Sequence, residues 1–190
     1  LNIQKDSLPI LRLNSDLKNI ELNSPLNELS KNKLTRLPTE ISITNFSNPS
    51  LKITNQKLDM HIKNLSKYDG YISIGKKLPN KYKSFNVEPG LNMYLYSQFF
   101  DDNLLISMLP TNQESTLIKF NKLAFDVKNF KFFNNNFSDL SGWFDLSNSE
   151  IIGNLIADKL NLNIRMDQKG FVKIEIKDSI FPDAEFINSS

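Results

Sequence analysis

Alternation of apolar and polar residues with a period of two is the feature that most constrains the fold of this chain. The alternating apolar positions are Leu58, Met60 and Ile62; Leu91, Met93 and Leu95; Leu104, Ile106 and Met108; Leu123, Phe125 and Val127; and Leu160, Leu162, Ile164 and Met166. Successive side chains of a β-strand point to opposite faces, so this pattern indicates strands with one buried face. Turn-forming residues separate the segments at intervals of about ten residues. The sequence therefore predicts a mainly β fold, an antiparallel sheet arranged as a meander, a sandwich or an open curved sheet.

The clearest local prediction is a β-hairpin near the end of the chain. The strand that ends at Met166 is followed by residues 167–170, and apolar positions then alternate again at Val172, Ile174 and Ile176. Gly170 supplies the positive φ that such a turn needs.

Two segments are candidates for short helices. Ser24 and Pro25 have the types of an N-cap and a first helical residue, and a partial apolar stripe follows them up to Pro38. Residues 149–156 allow a helix or a strand, and Gly153 with its β-branched neighbours favours a strand. We therefore expect one or two short helices beside the sheet.

The chain is predicted to form a single β-rich domain over residues 1–190, because no shift in composition marks a boundary. A basic stretch near residues 76–90, poor in apolar side chains, predicts a long exposed loop. No apolar run approaches the ~18 residues of a membrane-spanning helix, and no signal peptide is recognisable. Because the sequence begins at Leu1, we expect that it is an excised or processed piece of a longer chain. A signal or anchor segment that preceded it would lie outside this sequence.

Composition argues against most classes of enzyme. The sequence contains no cysteine and one histidine, His61, so thiolate chemistry, Cys-ligated metals and multi-His sites cannot be assembled within it. Glycine-rich nucleotide motifs are absent as well. His61 shares the polar face of its predicted strand with Asp59 and Lys63, which favours a solvent-facing residue over a catalytic one. We predict a protein without enzymatic activity, metal or cofactor.

The formal net charge is +2, from 23 basic and 21 acidic residues, which does not favour a nucleic-acid partner. A concentration of aromatic residues between Phe120 and Phe144 is the most unusual local feature. Most of these rings are expected in a two-layer core, but adjacent residues of a strand face opposite sides, so some could line a groove for a lipid or an apolar partner. The candidate ligand-binding residues are Phe130, Phe132, Phe133, Phe137 and Trp143.

One stretch resembles known proteins. The segment Leu-Ser-Gly-Trp-Phe-Asp-Leu at residues 140–146, together with the hairpin around Gly170, is similar to β-rich proteins of the bacterial envelope. These are the N component of type II secretion systems and the AsmA-like lipid-transport proteins. The N-terminal anchor helix of those families is not in this sequence. The resemblance implies a periplasmic, non-enzymatic protein whose curved sheet contacts lipid or assembles with an envelope machine, and it transfers no catalytic residue.

The predicted function is a non-enzymatic binding or assembly protein of the bacterial cell envelope, in the periplasm or at the cell surface. It would hold a lipid or a partner subunit against its β-sheet, and it could form an oligomer. Its partners would be other envelope proteins or lipid. The alternative is a structural subunit of a surface appendage, a phage or a virus, in which exposed strand edges pair with neighbouring copies.

Overall fold

The structure is a computed structural model that describes residues 9–24, 26–101, 120–132, 135–158, 160–167 and 169–179. Its strands are β1 (Ile10–Ser15), β2 (Thr39–Thr44), β3 (Ser50–Thr54), β4 (Leu58–Asn64), β5 (Asp69–Ile74), β6 (Leu91–Asp101), β7 (Phe120–Phe132), β8 (Asn135–Asp145), β9 (Ile151–Ala157), β10 (Leu160–Met166) and β11 (Val172–Ser179). They form one open, mostly antiparallel sheet of 11 strands whose spatial order follows the chain. The prediction of a mainly β fold is confirmed. The predicted strand at Leu104, Ile106 and Met108 lies outside the described residues.

The parallel pair β5–β6 interrupts the antiparallel order. Parallel neighbours need a crossover connection, and here it contains a 3-10 helix at Asn80–Asn86. Phe85 of this helix is buried against Tyr94 and Ala124. The stretch 76–90, predicted as a long exposed loop, thus contains a helix with a buried anchor, whereas its four lysines are exposed.

The chain divides into two compact units, which are described separately. The first contains β1–β5, the 3-10 helix, β6 up to Ser97 and residues 120–124. The second contains residues 98–101, β7 from Phe125 onward, and β8–β11. The single domain over residues 1–190 stays a prediction.

One face of the first unit's sheet is apolar from strand to strand. A row of facing positions runs through Leu13, Ile41, Ile53, Met60, Ile72 and Met93. Met93 is buried at the β6 end of this row, and Leu13 is half-exposed at the β1 end. The 3-10 helix and the side chains of Tyr71 and Tyr94 occupy the other face.

The predicted helix between Ser24 and Pro38 is wrong. Residues 26–29 form turns, and Lys31 pairs with Leu22 in an isolated β-bridge. The Ser24 hydroxyl accepts the backbone N–H of Leu26 at 3.1 Å, a local bond that satisfies a turn as well as a helix. The following apolar stripe is too incomplete to favour the helix over this alternative.

Two local predictions for the second unit are confirmed. Residues 151–157 form strand β9, and β10 and β11 form the expected hairpin, in which Met166 faces Val172. In the turn, the Asp167 carboxylate accepts the backbone N–H groups of Lys169 and Phe171 at 2.8 and 3.0 Å, and Gly170 has a φ of 82°.

Candidate functional site

The candidate site lies on the apolar face of the second unit, where that face reaches strand β11. We call Val172, Ile174 and Ile176 the apolar strip. Ile174 faces Ile164 of β10, and Ile176 faces Leu162. Leu162 is 1 % exposed, whereas Val172, Ile174 and Ile176 are 54 %, 46 % and 48 % exposed. The apolar face therefore continues beyond the part of the core that the described residues cover.

Alternation in β11 explains why the strip lies on this face. Lys173 and Glu175 stand between the strip residues and point to the opposite side of the strand. Pairing with β10 fixes this orientation, because a slip by one residue would exchange the two faces. The ladder contains an irregularity between Asn161 and Leu162, beyond which Asn161 faces Asp178.

Three stacked aromatic rings form the buried part of the second unit. The ring centroids of Phe100 and Phe125 are 6.2 Å apart, and those of Phe125 and Phe144 are 6.0 Å apart. Glycines make room for two of these rings. A Cβ on Gly142 would meet the ring of Phe125 at 2.6 Å, and a Cβ on Gly153 would meet the ring of Phe144 at 2.2 Å. The inner part of this face is therefore closely packed, because the three rings stack on one another and the two glycines leave no room for a further carbon atom.

The structure separates the aromatic residues that the sequence put forward as ligand-binding. The rings of Phe130 and Phe137 are 6.5 Å apart, and both side chains are buried. Trp143 is 44 % exposed but lies beside Phe144 in β8, so it points to the opposite, polar face. Phe132 ends β7 with its side chain outside the described part, and Phe133 lies outside the described residues altogether.

Sequence reasoning overlooked the strip as a site, although its alternation was visible. The position of the segment in the chain could have indicated the strip, because the last strand of a meander has a neighbouring strand on one side only. Apolar residues of such an edge strand are more often exposed to solvent than those of a central strand.

Side-chain amides form hydrogen bonds between strands on the polar face of the second unit. Asn154 faces Trp143 on one side and Asn163 on the other. Its Nδ2 donates to Oδ1 of Asn163 at 3.0 Å and to the carbonyl oxygen of Leu162 at 3.1 Å. These bonds tie β9 to β10, and the row of facing residues runs from Trp143 through Asn154 and Asn163 to Glu175.

His61 lies in the first unit, half-buried on β4 beside Tyr71 of β5. The Tyr71 hydroxyl donates to Oδ2 of Asp59 at 3.1 Å, and the ring of His61 stands edge-on to that of Tyr71 with centroids 6.3 Å apart. Burial lowers the pKa of His61, and the charges of Lys63 and Lys52 lower it further. Burial raises the pKa of Tyr71 to about 12, with further contributions from the charge and hydrogen bond of Asp59. Asp59 therefore orients the side chain of Tyr71.

The described residues of the first unit line at least two open clefts. The larger, of about 630 Å³, is lined mainly by amide, hydroxyl and charged side chains, including Asn14, Thr39, Glu40 and Asn55. The smaller, of about 450 Å³, is partly apolar and includes Leu22 and Leu58. Across the described ranges, no group of three or more His, Asp or Glu side chains is arranged to hold a metal ion.

Comparison with known proteins adds no relative. No family model matches the chain, and neither the curated proteins nor the solved structures contain a significant match. Within the parts of the chain that the structure describes, no helix has the length and apolar character needed to cross a bilayer.

Proposed function

We propose that this chain is a non-enzymatic binding protein of the bacterial cell envelope that holds the acyl chain of a lipid against the apolar face of its sheet. The observation that carries the proposal is the apolar strip, which extends a buried apolar face with side chains that are about half exposed. Exposed apolar surface that continues a core is typical of ligand or partner sites. A periplasmic or cell-surface location is part of this proposal: it is what the resemblance of residues 140–146 and 160–176 to envelope proteins implies, and the absence of cysteine is compatible with it.

The strip is suited to an acyl chain because it offers apolar side chains without a polar group between them on that face. Met166, Ile164 and Leu162 lie opposite the strip residues in β10, so two adjacent strands present the same surface. A hydrocarbon chain laid along this surface would need no hydrogen bonds. Its affinity would come from the apolar area removed from water.

The test is binding of a fluorescent long-chain fatty acid to the whole chain and to the double variant Ile174→Ser/Ile176→Ser. Covering the exposed half of each isoleucine is worth about 1 kcal/mol, so the double variant is expected to bind roughly thirty-fold more weakly. Ile156→Ser is the matched control, because Ile156 is 50 % exposed but lies on the opposite face of β9. Equal binding by the wild type and the double variant, or an equal loss in the Ile156→Ser control, would contradict the proposal.

A second candidate function, a structural subunit that assembles through strand edges, is favoured by the two ends of the sheet. No described strand pairs with the outer side of β1 or of β11. Ile10, Leu11 and Leu13 of β1 are half-exposed, as is the strip on β11. Edges of this kind are templates for pairing with another chain.

Size measurement on lipid-free protein separates the two candidates. A structural subunit is expected to form oligomers at micromolar concentration, whereas a lipid carrier can remain a monomer. A strictly monomeric chain that binds the fatty-acid probe would favour the first candidate alone.

A further inference from the structure

We infer that β11 is a self-complementary edge that pairs with β11 of a second copy of this chain in an antiparallel, two-fold symmetric dimer. This inference deepens the second candidate function, assembly through strand edges, and does not require a bound lipid. It rests on the exposure of β11, on the order of its side chains, and on the charges that its polar face presents.

The exposure of the strand is the first observation. Residues 172–177 are all exposed, and β11 ends the sheet among the described strands. The backbone groups on the outer side of such a strand are available to a second strand. No ion pair within the described residues involves Lys173 or Glu175.

The sequence of the strand is complementary to itself when the pairing is centred on Ile174. In that register, Ile174 faces Ile174 of the partner subunit. Lys173 faces Glu175 of the partner subunit, and Glu175 faces Lys173 of the partner subunit. Val172 likewise faces Ile176 of the partner subunit. Directly opposed apolar pairs and opposite charges are the arrangements that stabilise an antiparallel ladder.

The two neighbouring registers are both unfavourable, so the pairing centred on Ile174 is preferred to either of them. Centred on Glu175, the pairing would place Glu175 against Glu175 of the partner subunit and Lys173 against Lys177 of the partner subunit. Centred on Lys173, it would place Lys173 against Lys173 of the partner subunit. Like charges directly opposite each other destabilise a ladder. Lysine on an edge strand ordinarily discourages pairing, but here a glutamate between two lysines provides the complementary charge.

A two-fold axis perpendicular to the sheet produces this pairing and keeps the faces aligned. The apolar strips of both copies then lie side by side on one face. Pairing of β11 with β1 of another copy is the competing arrangement, and it would generate an open series instead of a closed dimer. The dimer is favoured because it satisfies both Lys173 and Glu175, whereas β1 offers one charged side chain, Arg12.

Charge reversal tests the register directly. Lys173→Glu places glutamates opposite each other in the dimer, and Glu175→Lys places lysines opposite each other. Each variant alone is expected to dimerise at least about ten-fold more weakly than the wild type, as measured by sedimentation velocity over low to high micromolar concentration. A mixture of the two variants restores both opposite-charge pairs, so a heterodimer is expected. The double variant Lys173→Glu/Glu175→Lys is expected to recover the homodimer.

Lys67→Glu is the matched control, because Lys67 is exposed in the turn between β4 and β5 and its reversal changes net charge equally. It is expected to dimerise like the wild type. A monomeric wild type, a dimer that both single variants leave unchanged, a mixture without heterodimer, or a series of larger oligomers would each overturn the inference. Lys173→Glu keeps the apolar strip, so fatty-acid binding by this variant tests the lipid proposal separately from the dimer.

Discussion

Replacing Gly153 by alanine tests whether the stacked aromatic rings fix the packing of the apolar face in the second unit. Gly153 faces Phe144 across the β8–β9 ladder. A Cβ on Gly153 would lie 2.2 Å from Cδ1 and 2.4 Å from Cε1 of Phe144, and 2.9 Å from the carbonyl oxygen of Trp143. Ordinary carbon contacts begin near 3.4 Å, so the ring would have to move by roughly 1 Å. Phe144 is fully buried and stacked on Phe125, which leaves it little room.

The expected magnitude follows from two opposing effects. Overpacking a well-filled core costs about 1–3 kcal/mol. Alanine reduces the conformational freedom of the unfolded chain and returns about 0.4–1 kcal/mol. Gly153→Ala is therefore expected to lower the free energy of unfolding by about 1–2 kcal/mol, a fall in Tm of roughly 2–8 °C for a chain of this size.

The assay is urea-induced unfolding followed by far-ultraviolet circular dichroism. The Phe144→Val variant supplies the control background, since valine has no δ- or ε-carbon to meet the new methyl group. In that background, Gly153→Ala is expected to cost about 1 kcal/mol less than in the wild type, while the contact of the new Cβ with the carbonyl oxygen of Trp143 at 2.9 Å remains in both. The reasoning would be refuted if Gly153→Ala were as stable as the wild type, or if its cost were unchanged beside Val at position 144.

Three further predictions concern the first unit and the hairpin turn. Tyr71→Phe is expected to remove one tyrosine's share of the tyrosinate absorbance that develops near pH 12; Asp59→Asn is expected to move that share to lower pH, because the carboxylate adds to burial in raising the pKa of Tyr71, and an unchanged ultraviolet titration would contradict both. The lowered pKa of His61 means that the unfolded chain binds a proton more tightly, so stability falls as pH drops below 6.5; His61→Gln should reduce the difference in urea midpoint between pH 7.5 and pH 5, and an equal difference would refute this. Gly170→Ala meets no atom within 4 Å but forces alanine to a φ of 82°, so a loss of about 1 kcal/mol in unfolding free energy is expected, and no loss would show that the turn relaxes.

The local parts of this fold were predictable from the sequence. The hairpin at Gly170 was predictable because its turn chemistry and flanking alternation lie within a short segment. The strand character of residues 151–157 followed from β-branched residues.

Non-local pairing was harder to predict. The parallel pair β5–β6 depends on a crossover whose anchor, Phe85, lies in a stretch that is otherwise polar and basic. One aromatic residue among lysines does not distinguish a buried helix from a loop. The predicted helix after Ser24 failed for the opposite reason, because a capping signal is local and does not ensure the apolar face that a helix needs.

The sequence predicted an apolar binding surface on the sheet, and its five candidate residues stay a prediction. Alternation shows which residues share a face, and it does not show which part of that face is covered. Phe130 and Phe137 are buried against each other, and Trp143 points to the polar side. The exposed positions belong to β11, whose sequence resembles that of a buried strand. Among the described strands, β11 has a neighbour on one side only, and alternation in the sequence does not reveal this.

The most direct test of the central claim is native mass spectrometry of the chain purified gently from its own host. The lipid-binding proposal predicts a chain that carries an additional mass in the range of a lipid, and loss of that mass in the Ile174→Ser/Ile176→Ser variant. A bare chain, or a complex with other proteins and no lipid, would contradict it.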